Sequence, residues 1–122
     1  MSGNSRTLWS DAQKEGRVAD QAAPGDLAFF DYTFDANANG RVDDELTHVA
    51  VVTSIEDNGT VVMIHRGSNQ IKELRMNLSR PAVRRDGDRV LNDFLRAPSY
   101  GPADGPRLAG QLFHGFARPP HP

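Results

Sequence analysis

The stretch Pro24-Gly25-Asp26-Leu27-Ala28-Phe29-Phe30, together with Thr47-His48-Val49-Ala50-Val51-Val52, decides how this chain folds. Pro-Gly is a turn signal, because proline presets one central turn position and glycine accepts the positive φ of the next. The short apolar run after this turn predicts a buried strand. The second stretch begins a β-branched, alternating segment that continues to Ile55, which is typical of a strand.

The neighbouring segments extend this pair of strands into a meander. Asp57-Asn58-Gly59 is a hairpin signal, and Thr60 to Arg66 is the returning strand. Residues 70–78 alternate in polarity and predict a third strand, while residues 90–96 predict a short helix or strand. On the N-terminal side, Thr7 to Gly16 predicts a short helix that glycine ends. We therefore expect an α+β fold, with a short N-terminal helix followed by an antiparallel β-meander.

Length and composition predict one domain with two tails. The chain has 122 residues, 38% of them hydrophobic and 25% charged, which suits a single soluble core. Residues 1–6 are expected to be a flexible tail and residues 7–96 the α+β domain. Residues 97–122 are rich in proline and glycine, so we expect an irregular C-terminal tail with one helical turn near residues 108–113.

The charge pattern disfavours nucleic acid as a partner, because the formal net charge is −2 and no basic field is present. Arginines from residue 75 onward are interleaved with aspartates, and we interpret this segment as a solvated mixed-charge face rather than a phosphate site. The arginines are Arg75, Arg80, Arg84, Arg85 and Arg89, and the aspartates are Asp86, Asp88 and Asp93. No apolar run is long enough to span a membrane, and the polar N-terminus does not resemble a signal peptide.

Two histidines are candidates for chemistry, depending on the hairpin register. A four-residue loop at 56–59 would place His65 opposite Ala50, roughly 7 Å from His48 on the same face. A two-residue Asn-Gly loop would place His65 opposite Val52, roughly 13 Å away along the strand. Only the first register lets one imidazole orient the other, as a base–orienter pair requires. The alternative is two unrelated strand histidines, each satisfied by a local hydrogen bond.

A polar loop after the first strand matches the first half of a calcium-binding loop. Oxygen-bearing side chains alternate and a glycine follows at the sixth position, where a sharp turn is needed. The predicted ligands are Asp35, Asn37, Asn39, Arg41 and Asp44. Leu46 stands where the closing glutamate belongs, so an acid at 43–45 would have to close the site. The alternative is an Asx-rich surface loop held by its own side chain to backbone bonds.

With these residues identified, a family resemblance follows. Pro24 to Phe30 resembles the "PGDLVFF" strand of papain-like cell-wall hydrolases of the CHAP and NlpC type. Thr47 to Val52 resembles their "HVGIV" strand, and Met63 to Arg66 resembles the strand after it. The resemblance covers residues 7–78. It implies a papain-like core that is incomplete here, because the helix that begins with the family's cysteine would precede Met1.

The resemblance also implies a function and raises a problem. In the family a Cys-His-polar triad cleaves amide bonds in peptidoglycan, which would make His48 the base and His65 its orienter. The chain contains no cysteine, and a thiol hydrolase needs a thiolate. Ser5 and Ser10 lack the context of the family's nucleophile.

We therefore expect a peptidoglycan amidase or endopeptidase domain that is inactive as given. The alternative is a non-catalytic pseudoenzyme or partner-binding module on the same scaffold, ordered by calcium. The expected partner is peptidoglycan, or a protein that covers the sheet face carrying His48. The chain's C-terminal tail could also fold back over that face. The family implies a location in the cell envelope or outside the cell.

Overall fold

The computed structural model describes residues 5–31, 48–66, 70–95 and 107–119. The elements are α1 (Ser5–Lys14), β1 (Val18–Ala19), β2 (Leu27–Phe30), β3 (His48–Ile55), β4 (Val61–Arg66), β5 (Ile71–Met76), β6 (Arg85–Asp86), β7 (Arg89–Val90), α2 (Ala109–Leu112) and β8 (Phe113–Ala117). No helix in these ranges is long and apolar enough to cross a membrane.

The main sheet has six strands in the order β1-β8-β2-β3-β4-β5, and each neighbouring pair is antiparallel. Strands β2 to β5 are consecutive neighbours, so the predicted meander is confirmed. Strands β6 and β7 form a separate two-stranded sheet. The α+β class with a short N-terminal helix is therefore confirmed.

The Pro-Gly turn is built as its residue types require. Gly25 has φ 94°, and the backbone N–H of Asp26 donates to the carbonyl of Ala23 at 3.0 Å. Pro24 and Gly25 thus occupy the central positions of a type II turn. The N–H of Gly25 also donates to the carbonyl of Val52 at 2.8 Å. This bond ties the turn to β3 and sets where β2 begins.

The Asp26 carboxylate joins this turn to the C-terminal segment. Asp26 is buried, its Oδ2 accepts from the backbone N–H of Ala23 at 2.9 Å, and the same oxygen pairs with the guanidinium of Arg118. The backbone N–H of Arg118 donates to the carbonyl of Arg17 at 2.7 Å. A buried carboxylate needs such partners, because burying it unpaired costs several kcal/mol.

The prediction of an irregular tail from residue 97 to 122 is wrong for its described part. Residues 113–117 form β8, which pairs with both β1 and β2, and the predicted helical turn is α2. Glycine at 115 was a loop signal in the sequence, but here it lets Trp9 lie against the strand. A Cβ at this position would be 2.5 Å from Trp9 Cη2.

Helix α1 covers one face of the sheet, which we call the outer face. The helix begins at Ser5 and ends as predicted, with Gly16 at φ 70° and the N–H of Arg17 donating to the carbonyl of Ala12 at 2.8 Å. Trp9 packs edge-to-face on Phe29, with ring centroids 5.1 Å apart. The predicted flexible tail at 1–6 therefore overlaps α1 by two residues, and residues 1–4 lie outside the described part.

The opposite face, which we call the inner face, carries the larger core. Its buried residues come from four strands of the meander, from β8 and from α2: Ala28, Phe30, Ala50, Val52, Val61, Met63, Leu74, Met76, Ala109, Leu112 and Phe116. Helix α2 belongs to this core and packs against β5, so part of the C-terminal segment lies on the inner face.

The hairpin between β3 and β4 has one of the two predicted registers but neither predicted loop. Ile55 pairs with Val61, which leaves a five-residue connection instead of four or two residues. A bulge at Thr53 absorbs the extra residue, so Val52 pairs with Met63 and the register continues to Val51 and Ile64. Thr53 is held by its own hydroxyl, which donates to the Val62 carbonyl at 3.1 Å.

Asn92 joins three segments around the inner core. Its Oδ1 accepts from the backbone N–H groups of Asn77 at 2.9 Å and Gly110 at 3.0 Å. Its Nδ2 donates to the carbonyls of Arg80 at 2.9 Å and Val83 at 2.8 Å. The side chain thus satisfies all four of its hydrogen-bonding positions while fully buried.

The segment at 90–96 was predicted to be a short helix or strand. In its described part, Val90 ends β7 and Phe94 forms an isolated antiparallel bridge with Leu108, the residue before α2.

Candidate functional site

The structure brings His48 and His65 together. His48 begins β3 and His65 lies near the end of β4, and the Val51–Ile64 register, continued by one residue, places His65 opposite Ala50. His48 Nε2 is 2.8 Å from His65 Nδ1, and the two rings are nearly perpendicular at 87°. Of the two predicted registers, the observed one is that in which the imidazoles can contact each other. One of the two nitrogens must carry the proton that the other accepts.

Burial keeps this pair neutral at pH 7. Burial, and secondarily the charge of His65, lower the pKa of His48 to about 4. Burial also lowers the pKa of His65, opposed by the nearby carboxylate of Asp93 and assisted by the ammonium of Lys72. A neutral imidazole held in place by a second group is what a general base requires.

Aromatic residues and the C-terminal segment border the histidine pair on the inner face. The ring of Phe30 lies 6.3 Å from that of His48, and Phe113 packs on Phe30 at 6.1 Å. Helix α1 packs on the outer face instead. Ser10, the one described hydroxyl considered as a substitute nucleophile, therefore belongs to an element on the other side of the sheet.

The two histidine strands lie within the part of the chain that matches a known protein family. The CHAP domain family matches residues 1–67, which include α1, the Pro-Gly turn, β2 and both histidines. The chain belongs to the CHAP family. The family is peptidoglycan hydrolase-like. No curated protein and no solved structure matches the chain.

The predicted calcium ligands of this CHAP domain lie outside the described residues. Asp35, Asn37, Asn39, Arg41 and Asp44 all fall within 32–47. Calcium binding there stays a prediction. Within the described ranges, no three histidine or acidic side chains are grouped closely enough to hold a metal ion.

A second histidine contact in this CHAP domain, between His114 and Asp31, was not predicted from the sequence. His114 Nδ1 lies 2.9 and 3.0 Å from the two carboxylate oxygens of Asp31, and Trp9 packs edge-on against its ring at 4.9 Å. His114 is the extra residue of a bulge between β8 and β2. Only a prediction of β8 itself could have revealed this contact, because 83 residues separate the partners.

Proposed function

We propose that this CHAP domain carries the base and orienter of a papain-like peptidoglycan amidase or endopeptidase site. The observation that supports this proposal is the 2.8 Å contact between His48 Nε2 and His65 Nδ1. His48 would act as the general base and His65 as its positioning residue. The chain has no thiol to complete such a site, so we propose that it does not cleave peptidoglycan by itself.

The proposed roles specify where the protons reside. His48 Nε2–H donates to His65 Nδ1, which leaves the Nδ1 lone pair of His48 to accept a proton from an attacking group. His65, as the acceptor at Nδ1, then carries its own proton on Nε2. The second imidazole therefore holds the first in one tautomer, as a carboxylate or amide does in other base–orienter pairs.

Nitrogen NMR of the histidine rings tests this arrangement. At pH 7 we expect both rings to be neutral, with His48 protonated on Nε2 and unprotonated on Nδ1. In His65→Ala the His48 tautomers are expected to mix, because the acceptor that selects one of them is gone. A wild-type spectrum showing His48 protonated on Nδ1 would contradict the proposed base.

A non-catalytic, partner-binding domain is the second candidate function. It is favoured by one observation, which is that the chain supplies two positioned imidazoles and no cysteine. In this case the histidine pair stabilises the meander, and calcium at the predicted loop orders the adjoining chain. This candidate requires binding to a wall polymer or protein without turnover.

Muropeptide release from purified peptidoglycan tests the proposed inactivity. We expect the wild-type chain and His48→Ala to release the same background amount, with or without millimolar calcium, because no thiolate attacks the substrate. Release by the wild type that disappears in His48→Ala would show a working site with another nucleophile. His114→Ala is a matched control, since its histidine lies on the outer face.

A further inference from the structure

One half of the outer face is apolar but exposed. Helix α1 packs on β2 and β8 through a cluster that reaches β3 only at Val49. Beyond it, Val51, Ile64 and Ile71 are 39%, 39% and 63% exposed, although each is a large aliphatic side chain. They come from β3, β4 and β5, which are neighbours in the sheet. We call these three residues the aliphatic patch.

The aliphatic patch forms one continuous surface rather than three isolated side chains. Its members line a single shallow cavity of about 180 Å³, together with Val49 and Arg66. Among the described residues, only β3, β4 and β5 contribute to the wall of this cavity. Single exposed aliphatic side chains are common on protein surfaces, but contiguous ones mark an interaction surface, because covering them releases water from apolar area.

Two opposite charges flank the patch in a self-complementary arrangement. In the β4–β5 pairing, Ile64 lies opposite Glu73 and Arg66 lies opposite Ile71. The four side chains therefore form a parallelogram on the outer face, with the isoleucines on one diagonal and the charges on the other. A two-fold axis along the isoleucine diagonal places each isoleucine on its own copy, and it places Arg66 of one copy on Glu73 of the other. Arg66 is exposed, and the exposed Glu73 uses only Oε1 in its 3.4 Å pair with Arg75.

We propose that the aliphatic patch is the contact surface of a homodimer, with Arg66–Glu73 ion pairs between the two copies. A second copy fits better than an apolar ligand, because only the copy also matches the two flanking charges. Three side chains supply less than the roughly 800 Å² per partner of a standard interface, so we expect a weak dimer with a Kd on the order of 100 μM. The histidine pair lies on the inner face, so this dimer is independent of the proposed function.

Sedimentation equilibrium of the full chain, from about 10 μM to about 1 mM, tests the dimer with two charge reversals. Arg66→Glu and Glu73→Arg should each weaken self-association at least about tenfold, because like charges then meet at both ion-pair positions. An equimolar mixture of the two variants should associate as tightly as the wild type. In the mixed dimer each of the two contacts again joins one carboxylate to one guanidinium, which an ion pair within one chain could not reproduce.

Ile71→Ser and Ile55→Ser form a matched pair for the apolar part of the contact. Ile71 belongs to the patch, so its replacement should weaken association about tenfold. Ile55 is 46% exposed but lies at the far end of β3, outside the patch, so its replacement should have no effect. A wild type that stays monomeric up to about 1 mM would overturn the proposal. A mixture of the charge variants that associates no better than its components, or equal losses from the two isoleucine variants, would also overturn it.

Discussion

Replacing Asn92 with aspartate is expected to lower the free energy of unfolding by about 3 kcal/mol or more. The substitution keeps the shape of the side chain but exchanges its amide nitrogen for an oxygen. The carbonyls of Arg80 and Val83 would then lose their donor and face a buried oxygen instead. Each unsatisfied buried group costs about 1–3 kcal/mol, and a buried carboxylate costs more.

Chemical denaturation of Asn92→Asp and Asn58→Asp measures this effect against a matched control. Asn58 is exposed, and its Oδ1 accepts from the backbone N–H of Thr60 at 3.0 Å. An aspartate there keeps that acceptor, so we expect a change below about 0.5 kcal/mol. Equal losses of unfolding free energy at the two positions would contradict the expected contribution of the hydrogen bonds from Asn92 Nδ2 to the Arg80 and Val83 carbonyls.

The destabilisation by Asn92→Asp should also depend on pH. Burial would raise the pKa of the new carboxyl above its unfolded value of about 3.9. The unfolded state would then release its proton first, so the destabilisation should be smallest at low pH and grow as the pH rises above about 4. A pH-independent difference would indicate that water reaches the new side chain.

The second large effect is acid destabilisation through His48. Its pKa is about 4 in the folded protein against 6.5 for an unperturbed histidine. Between these values the unfolded state binds more protons, so stability is fully present above pH 6.5 and falls as the pH drops toward 4. The difference corresponds to at most about 3 kcal/mol. His65 contacts His48 directly. Asp93, which is hydrogen-bonded to β5, raises the pKa of His65, and Lys72 on β5 lowers it.

Urea unfolding of the wild type and His48→Gln at several pH values isolates this contribution. Glutamine can still donate to His65 but does not titrate, so its stability should fall less between pH 6.5 and 4. His65→Gln should flatten the curve less, because the pKa of His65 is lowered by burial but raised again by Asp93. Parallel curves for the wild type and His48→Gln would contradict the lowered pKa of His48.

Features that depend on adjacent residues could be predicted from the sequence. The end of α1 at Gly16 and the Pro24-Gly25 turn follow from positive φ values that glycine adopts without strain. The alternation in β3 and β5 predicted that these segments are strands. The family and the two histidines followed from the same segments, since a strand motif is a local pattern.

Features that depend on distant residues could not be predicted in this way. The position of β8 beside β2, the Asn92 hydrogen bonds and the Asp31–His114 contact each join segments far apart in the chain. A five-residue strand that contains a glycine has too little periodicity to be distinguished from a loop. The sequence left two hairpin registers open at His65, and the structure has one of them although its loop is longer than predicted, because the Thr53 bulge compensates for the longer loop.

The sequence alone determined the local conformations, the meander and the CHAP family, because each is encoded in a continuous run of residues. The tertiary structure alone decided that His48 Nε2 meets His65 Nδ1, that part of the C-terminal segment lies on the inner face, and that Val51, Ile64 and Ile71 share one cavity. Contacts of this kind depend on which distant segments exclude water together. Such packing is a property of the whole fold, which no single segment of the chain specifies.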